Sequence, residues 1–341
     1  MEKVSIIGLD LAKNMFQAHG ACTDGSVGFR KNLSRNNVLM FFAAQPRCVV
    51  AMEACASSHF WAREIGKIGH EVKMIPPIYV KPFVKRQKND TADSEAIAEA
   101  ASRPTMRFVA VKSEEKQALG MAFRVRDLFV RQRTQAINAL RGHLAEYGVI
   151  APQGIAHLGR LIRVVVDPDN GMQGSVVALA NMMLDQIKGL QERIDILEKE
   201  IRTRSKRDDV ASRLMTVPGI GPICATAMEA FAPPAETFSK GRDFAAWVGL
   251  TPRQHSSGGK ERLGNTSKMG QRDLRRLLII GAMAVVRWAV RKGAPEGSWL
   301  ARMLLRKPRM LVAVALANKM ARIAWALMAK GGIYRNPAAV V

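Results

Sequence analysis

The stretch Val4-Ser5-Ile6-Ile7-Gly8-Leu9-Asp10 decides the fold of the N-terminal part of this 341-residue chain. It is short, rich in β-branched residues and closed by a charged residue, which is typical of a buried central strand. The stretch 48–52 repeats this pattern and is followed by Glu53. The sequence therefore predicts that Asp10 and Glu53 emerge side by side from the ends of two strands of one sheet.

Two further carboxylates, Asp90 and Asp93, lie in the segment 89–94. Asn89 or Asp90 can cap a helix that continues to residue 101, and a spacing of three puts both aspartates on one face of that helix. Taken singly, each of these four acids fits an ordinary role at a strand end, at a helix cap or in a first helical turn. As a set, Asp10, Glu53, Asp90 and Asp93 have the arrangement of a two-metal nuclease.

Clustered carboxylates raise one another's pKa, and a bound cation is the usual way to keep several of them ionised. Mg²⁺ prefers oxygen ligands, and a pair of such ions clamps the attacking and leaving oxygens of a phosphoryl displacement. We therefore expect Asp10, Glu53, Asp90 and Asp93 to be metal ligands and catalytic residues, with two Mg²⁺ ions per site.

Sugar-kinase and actin-like ATPases also begin with an apolar strand, glycine, an apolar residue and aspartate. Those proteins need glycine and small residues just after the aspartate, so that backbone N–H groups reach phosphate. This chain has Leu-Ala-Lys-Asn-Met-Phe at 11–16, which argues against nucleotide binding.

The charge balance points to a polyanionic partner. The chain has 52 Lys and Arg against 29 Asp and Glu, a net charge of +23. Nucleic acid is the first choice of partner, with a membrane surface as the alternative. We expect no signal peptide. Polar Asn318, Lys319 and Arg322 interrupt the apolar stretch 311–328, which predicts a core helix. The four cysteines form no CxxC pair, so we expect a reduced protein of the bacterial cytoplasm, associated with the nucleoid when bound to DNA, and no membrane partner.

The fold class predicted is α/β followed by α. Strands are expected near 4–10, 15–20, 26–32, 48–52 and 71–75, and helices near 35–44, 57–68 and 91–102. Three early strands followed by strand–helix alternation fit a mixed sheet of ribonuclease-H type better than a doubly wound sheet. We predict three domains: 1–105 with the metal site, a helical linker at 106–207, and a mostly helical domain at 208–341.

The linker carries a coiled-coil seam. Apolar residues recur with four-three spacing at Val176, Ala180, Met183, Ile187, Leu190, Ile194, Leu197 and Ile201. An earlier helix, about 112–147, has its own stripe and five arginines on its flanks, and could be the antiparallel partner. The sequence leaves open whether the seam closes within one chain or between chains.

Two motifs in the last domain indicate phosphate binding. Val217-Pro218-Gly219-Ile220-Gly221 resembles the hairpin of a helix-hairpin-helix element, in which Gly219 and Gly221 would let backbone N–H groups approach a phosphate. The segment 249–268 is rich in Gly, Ser and cations, and a basic helix follows it. Its cations, with those of the helix, are predicted nucleic-acid contacts: Arg253, Lys260, Arg262, Lys268, Arg272, Arg275 and Arg276. From composition alone, its serines are more simply hydrogen-bond donors than nucleophiles.

In its motifs, the chain resembles the DEDD-type insertion-sequence transposases, which are RNA-guided (bridge-RNA or seek-RNA) DNA recombinases. The resemblance rests on five motifs in order: residues 8–13, 52–54, 89–94, 217–221, and Gly-Leu-Thr-Pro-Arg at 249–253 with Ser257-Gly258. It covers essentially the whole chain, and the five motifs together are specific although no single one is.

The resemblance implies a RuvC-like domain with Asp10, Glu53, Asp90 and Asp93 as metal-binding tetrad, a coiled-coil linker and a transposase domain with Ser257 as nucleophile. Ser256 is the less favoured occupant of that role. It further implies a phosphoserine link to DNA, a noncoding guide RNA as partner and a tetramer assembled with donor and target DNA. Two alternatives stay open: a RuvC-like nuclease that cuts branched DNA with water, and a non-catalytic nucleic-acid-binding protein.

Overall fold

The computed structural model describes residues 3–85 and 90–335, without the side chain of Asp90. The chain forms two compact units, Met1–Glu115 and Lys116–Val341, which are described separately below. The predicted helix cap at Asn89 or Asp90 lies outside the described residues. The division into three domains stays a prediction, since compactness separates only the first 115 residues from the rest.

The first unit is built on a five-stranded mixed sheet with strand order β3-β2-β1-β4-β5. Its strands are β1 (Val4–Asp10), β2 (Met15–Cys22), β3 (Val27–Ser34), β4 (Val49–Glu53) and β5 (Glu71–Ile75). The first three form an antiparallel meander, whereas β4 lies parallel to β1 and β5 parallel to β4. The predicted mixed sheet is confirmed, and each strand begins and ends within two residues of its expected bounds.

Four helices accompany this sheet: α1 (Val38–Ala43), α2 (Ser58–Lys67), α3 (Pro77–Val80) and α4 (Asp90–Ala101). Residues alternate between the two faces of each strand. Ile7 and Leu9 of β1 face a core that includes Trp61 and Ile65 of α2. The opposite face packs against α4 through a second core that contains Ala51 and Ile97.

Gly8 allows α4 to lie directly on β1. A Cβ at this position would lie 2.7 Å from the backbone nitrogen of Ala98 and would also clash with the carbonyl oxygen of Ser94. Both neighbours are backbone atoms, so neither can turn aside as a flexible side chain would. The absence of a side chain at residue 8 therefore sets the distance between helix and strand.

We predict that Gly8→Ala destabilises the protein by about 1–3 kcal/mol, because the added methyl forces α4 away from β1. Gly66→Ala is the matched control, since Gly66 lies in α2 and a Cβ there meets nothing within 4 Å. The control should be neutral or slightly stabilising because alanine favours helix. Urea denaturation of both variants checks this, and equal midpoints for Gly8→Ala and wild type would contradict it.

The second unit begins with a long helical hairpin. Helix α5 (Glu114–Ala145) packs antiparallel to α7 (Gly174–Arg207), with α6 (Leu158–Val166) between them in sequence. Arg126 pairs with Glu198 and Arg133 with Gln191, so the contacts run in opposite directions along the two helices. The buried seam residues of α7 are Ala180, Ile187, Leu190, Ile194 and Ile201. These five of the predicted seam residues are therefore packed within the chain, and α6 is a helix of this region that the sequence did not predict.

The remaining helices enclose the largest core of the protein. They are α8 (Asp209–Leu214), α9 (Pro222–Phe231), α10 (Gly241–Val248), α11 (Arg272–Lys292), α12 (Trp299–Arg306) and α13 (Arg309–Lys330). Helix α13 is the one helix of the described chain that is long and apolar enough to cross a membrane. It packs against α10 and α11, and Val312, Ala317 and Ala324 are fully buried. This packing is that of a core helix, as predicted.

Candidate active site

Three of the four predicted carboxylates converge on the α4 side of the sheet. Asp10 ends β1 and Glu53 ends β4, and the parallel register that pairs Leu9 with Met52 makes the two acids neighbours. Asp93 comes from α4, one residue before the carbonyl that contacts Gly8. All three line one open pocket of about 410 Å³. The side chain of Asp90 lies outside the described part of the chain.

The electrostatics of this pocket are those of crowded like charges. Burial raises the pKa of Glu53, and the charges of Asp10 and Asp93 raise it further. The carboxylate form of Glu53 therefore costs free energy in the folded protein, and a bound cation would remove that cost.

The residues present fit a hard divalent cation by their chemistry, because all three donors are carboxylates. Within residues 3–85 and 91–335, however, no group of three or more His, Cys, Asp or Glu side chains is arranged to hold a metal ion. The three carboxylates thus share a pocket without standing in a closed coordination shell.

One cation and an apolar rim complete this pocket, and the sequence analysis missed both. Lys81, Ile78 and Val80 line it, from α3 and the 3-10 turn that follows. Ile78 and the adjacent Tyr79 are strongly exposed for apolar residues. These residues follow β5, so they lie beyond the same strand ends as Asp10 and Glu53. Their position just after a predicted strand was the sequence signal that could have placed them beside the carboxylates.

Glu95 of α4 forms ion pairs that connect this helix to neighbouring elements. Its carboxylate accepts a hydrogen bond from Arg30 of β3 at 3.1 Å and another from Lys85. The hydrogen bond from Lys85 is the main reason that the pKa of Glu95 is lowered. This bridge ties the helix that carries Asp93 to the edge of the sheet.

In the second unit, the segment 249–268 forms a β-hairpin rather than an irregular loop. Strands β6 (Pro252–Gln254) and β7 (Leu263–Thr266) pair antiparallel, and a tight turn joins Ser257 to Lys260. Gly258 and Gly259 occupy this turn with φ values of 56° and 75°, which favour glycine. The turn presents Ser257 to solvent at the tip of the hairpin.

The two neighbouring serines differ in their bonding. The Ser256 hydroxyl accepts a hydrogen bond from the backbone N–H of Arg262 at 3.1 Å, across the hairpin. The Ser257 hydroxyl makes no hydrogen bond to any described residue. Ser256 therefore braces the hairpin, while the Ser257 hydroxyl is exposed and takes no part in holding it together.

The predicted nucleic-acid contacts are distributed over three places. The hairpin exposes Arg253, Lys260, Arg262 and Lys268, and α11 exposes Arg272 and Arg276. Arg275 instead donates to the carbonyl of Val248 at 2.9 Å and supports the end of α10.

In the 217–221 motif, a Cβ at Gly219 would meet the backbone of Gly281 in α11, whereas Gly221 is exposed at the start of α9. Gly219 thus serves packing, and only Gly221 is open to a ligand.

Comparisons with known proteins agree with this architecture. A DEDD transposase model of the IS110 type matches residues 7–149, and the model described as "Transposase IS116/IS110/IS902 family" matches residues 211–295. The chain is 48% identical to a "Probable family 20 transposase" of Pseudomonas aeruginosa over 97% of its length and 99% of the relative's. It is 40% identical to the "Transposase for insertion sequence element IS1328" of Yersinia enterocolitica, over 98% and 99% of the two chains.

A third relative, the "Transposase for insertion sequence element IS1111A" of Coxiella burnetii, is 35% identical over 98% of this chain and 92% of its own. These identities over nearly the whole length of each chain place this protein in the class of insertion-sequence transposases. The chain belongs to the IS110/IS116/IS902 family of insertion-sequence transposases.

We predict that Glu53→Gln stabilises the metal-free protein at neutral pH, because it removes a carboxylate whose pKa folding raises. The difference from wild type should be absent at acidic pH and should grow as the pH rises through the pKa of Glu53. Added Mg²⁺ should stabilise wild type but not the variant. Thermal unfolding measures this, at roughly 2–4 °C per kcal/mol.

Glu71→Gln is the control, since Glu71 begins β5 and so lies at the other end of these parallel strands from Glu53. It should show neither the stabilisation nor the loss of the Mg²⁺ response. Equal Mg²⁺ responses of wild type and Glu53→Gln would count against a cation at this pocket.

Proposed function

We propose that this transposase is a Mg²⁺-dependent DNA recombinase that cuts and rejoins DNA through a covalent phosphoserine at Ser257. The observation that carries its metal-dependent part is the convergence of Asp10, Glu53 and Asp93 on one pocket, with Glu53 under repulsion from the other two. The assignment of Ser257 is supported by the family resemblance and by its exposed position. Asp10, Glu53, Asp90 and Asp93 would hold two Mg²⁺ ions, which supply charge stabilisation for the displaced phosphodiester oxygens.

Ser257 supplies the nucleophile in this proposal. Its oxygen forms a bond to the phosphorus of the DNA backbone as the bond from phosphorus to a sugar oxygen breaks, and its proton leaves for the departing hydroxyl. The new ester keeps the energy of the broken bond, so a second sugar hydroxyl can displace the serine and rejoin the strand without ATP. The exposed position at the hairpin tip suits attack on a backbone phosphate.

Target choice would belong to a guide RNA. The resemblance to RNA-guided recombinases supports this part, together with the net charge of +23, which suits large backbone-directed binding. We further propose that the protein assembles as a tetramer on donor and target DNA in the bacterial cytoplasm, with Ser257 and the carboxylates contributed by different subunits.

We predict that Asp93→Asn abolishes strand exchange while DNA binding changes little, because the cations that bind backbone phosphates lie elsewhere. Asp10→Asn, Glu53→Gln and Asp90→Asn should behave alike, and a metal chelator should reproduce their effect on the wild type. Recombination of a marked donor and target, with parallel gel-shift binding, measures both quantities. Normal recombination by Asp93→Asn in Mg²⁺ would remove Asp93 from the site.

We predict that denatured wild-type reactions contain DNA covalently attached to Ser257. Ser257→Ala should lose this adduct and all recombination, whereas Ser256→Ala should keep the adduct, because Ser256 serves the hairpin through its bond to Arg262. Mass spectrometry of the trapped peptide identifies the residue. An adduct on Ser256 moves the nucleophile by one position.

The same experiment separates the runner-up function, a RuvC-like nuclease that uses metal-activated water. That enzyme would leave free DNA ends, and both serine variants would cut normally with no adduct. The carboxylate pocket alone is compatible with either chemistry, so Ser257 decides between them.

A further inference from the structure

Helices α5 and α11 form a groove in the second unit that is lined mainly by arginine. Its volume is about 220 Å³, and Phe123 and Phe231 contribute to its lining. Its charged lining residues are two aspartates and five arginines, namely Arg124, Arg126, Arg131, Arg272 and Arg276. The groove joins two helices that are more than a hundred residues apart in sequence.

The ion pairs of the groove divide its arginines into two groups. Arg126 is half-buried and paired with Glu198 of α7, so its charge is used within the hairpin of helices. Arg131 lies 3.4 Å from Asp127, and Arg276 of α11 pairs with the same carboxylate. Asp127 therefore joins α5 to α11 and holds two exposed guanidinium groups in place.

Arg124 and Arg272 form the second group. Both are exposed, and neither has an ion pair with any residue that the structure describes. The groove thus keeps free positive charge on each of its two walls. An ordinary solvated helix face would alternate charges of both signs, whereas here arginine outnumbers aspartate by five to two.

We infer that this arginine groove binds the sugar-phosphate backbone of a nucleic acid, with Asp127 as the residue that positions Arg131 and Arg276. Guanidinium groups recognise phosphate with paired hydrogen bonds, and rigidly held ones lose less entropy on binding. Arg124 and Arg131 are roughly 10 Å apart along α5, at ~1.5 Å per residue. That length corresponds to about three nucleotide steps of rise along a duplex axis, at ~3.4 Å per step. The inference rests on the proposed function only in taking a nucleic acid as partner.

The test measures binding of the full-length protein in the presence of chelator, so that no chemistry occurs. The probes are a short DNA duplex of arbitrary sequence and an RNA hairpin of similar length, each titrated over a range of salt concentrations. For the double variant Arg124→Gln/Arg272→Gln, the slope of log affinity against log salt should fall by about one unit per arginine. Neither arginine has an ion pair among described residues to lose, so the fold should be unchanged by circular dichroism.

Arg193→Gln/Lys199→Gln is the charge-matched control, because both residues are exposed on α7 and lie outside the groove. Its slope should stay close to that of the wild type. A fall confined to one probe supports the groove and identifies DNA or RNA as its partner. Equal falls for the groove variant and the control overturn the inference, because the effect would then be diffuse charge.

Asp127→Asn tests the positioning role. It removes one negative charge and so raises the net charge of the protein by one. Diffuse electrostatics alone would therefore strengthen binding to both probes. If Asp127 positions Arg131 and Arg276, affinity should instead fall several-fold, while strand exchange chemistry on preassembled complexes persists. Unchanged or stronger binding by Asp127→Asn would overturn the positioning role. Loss of chemistry without loss of binding would concern the carboxylate pocket and Ser257 instead.

Discussion

The close packing of α4 on β1 at Gly8 is the constraint on which the candidate active site depends. The helix backbone approaches to a distance that no side chain at residue 8 would allow. Asp93 lies in the same turn of α4 as that contact, so the distance between helix and strand also sets the distance from Asp93 to Asp10 and Glu53. On the outer side, Glu95 with Arg30 and Lys85 keeps the helix in place. The stability of the first unit and the geometry of the candidate site therefore depend on the same contact.

The two units differ in the sign of the charge that each one concentrates. The first unit gathers carboxylates in one pocket, where burial and neighbouring charges raise the pKa of Glu53. The second unit carries most of the positive charge: 20 Lys and Arg against 4 Asp and Glu lie between residues 240 and 341. Under the proposed function, the acidic groups would hold metal ions and the basic groups would bind the nucleic-acid backbone. These two tasks are better placed in different units, because a pocket rich in cationic side chains would compete with the metal.

The basic residues also show how local bonding divides apparently equivalent groups. Arg275 sits between Arg272 and Arg276 in sequence but donates to the end of α10, whereas its neighbours face a groove. Ser256 and Ser257 differ in the same way, since only Ser256 is bonded across the hairpin. Gly219 and Gly221 likewise separate into a packing residue and an exposed helix start. Residues of one type therefore differ in role because each makes different local contacts.

The sequence by itself determined the strands, the strand-end acids and the apolar seam of α7, because these follow from periodicity within ten to thirty residues and from charges that close buried runs. Only the tertiary structure decided that Lys81 borders the carboxylates, that the seam closes on α5 within the chain, and that Asp127 gathers arginines from two distant helices. It also revealed α6 and the β-hairpin that carries Ser257. Such features depend on distances between elements far apart in sequence, and packing alone fixes those distances, since local periodicity carries no record of which faces meet.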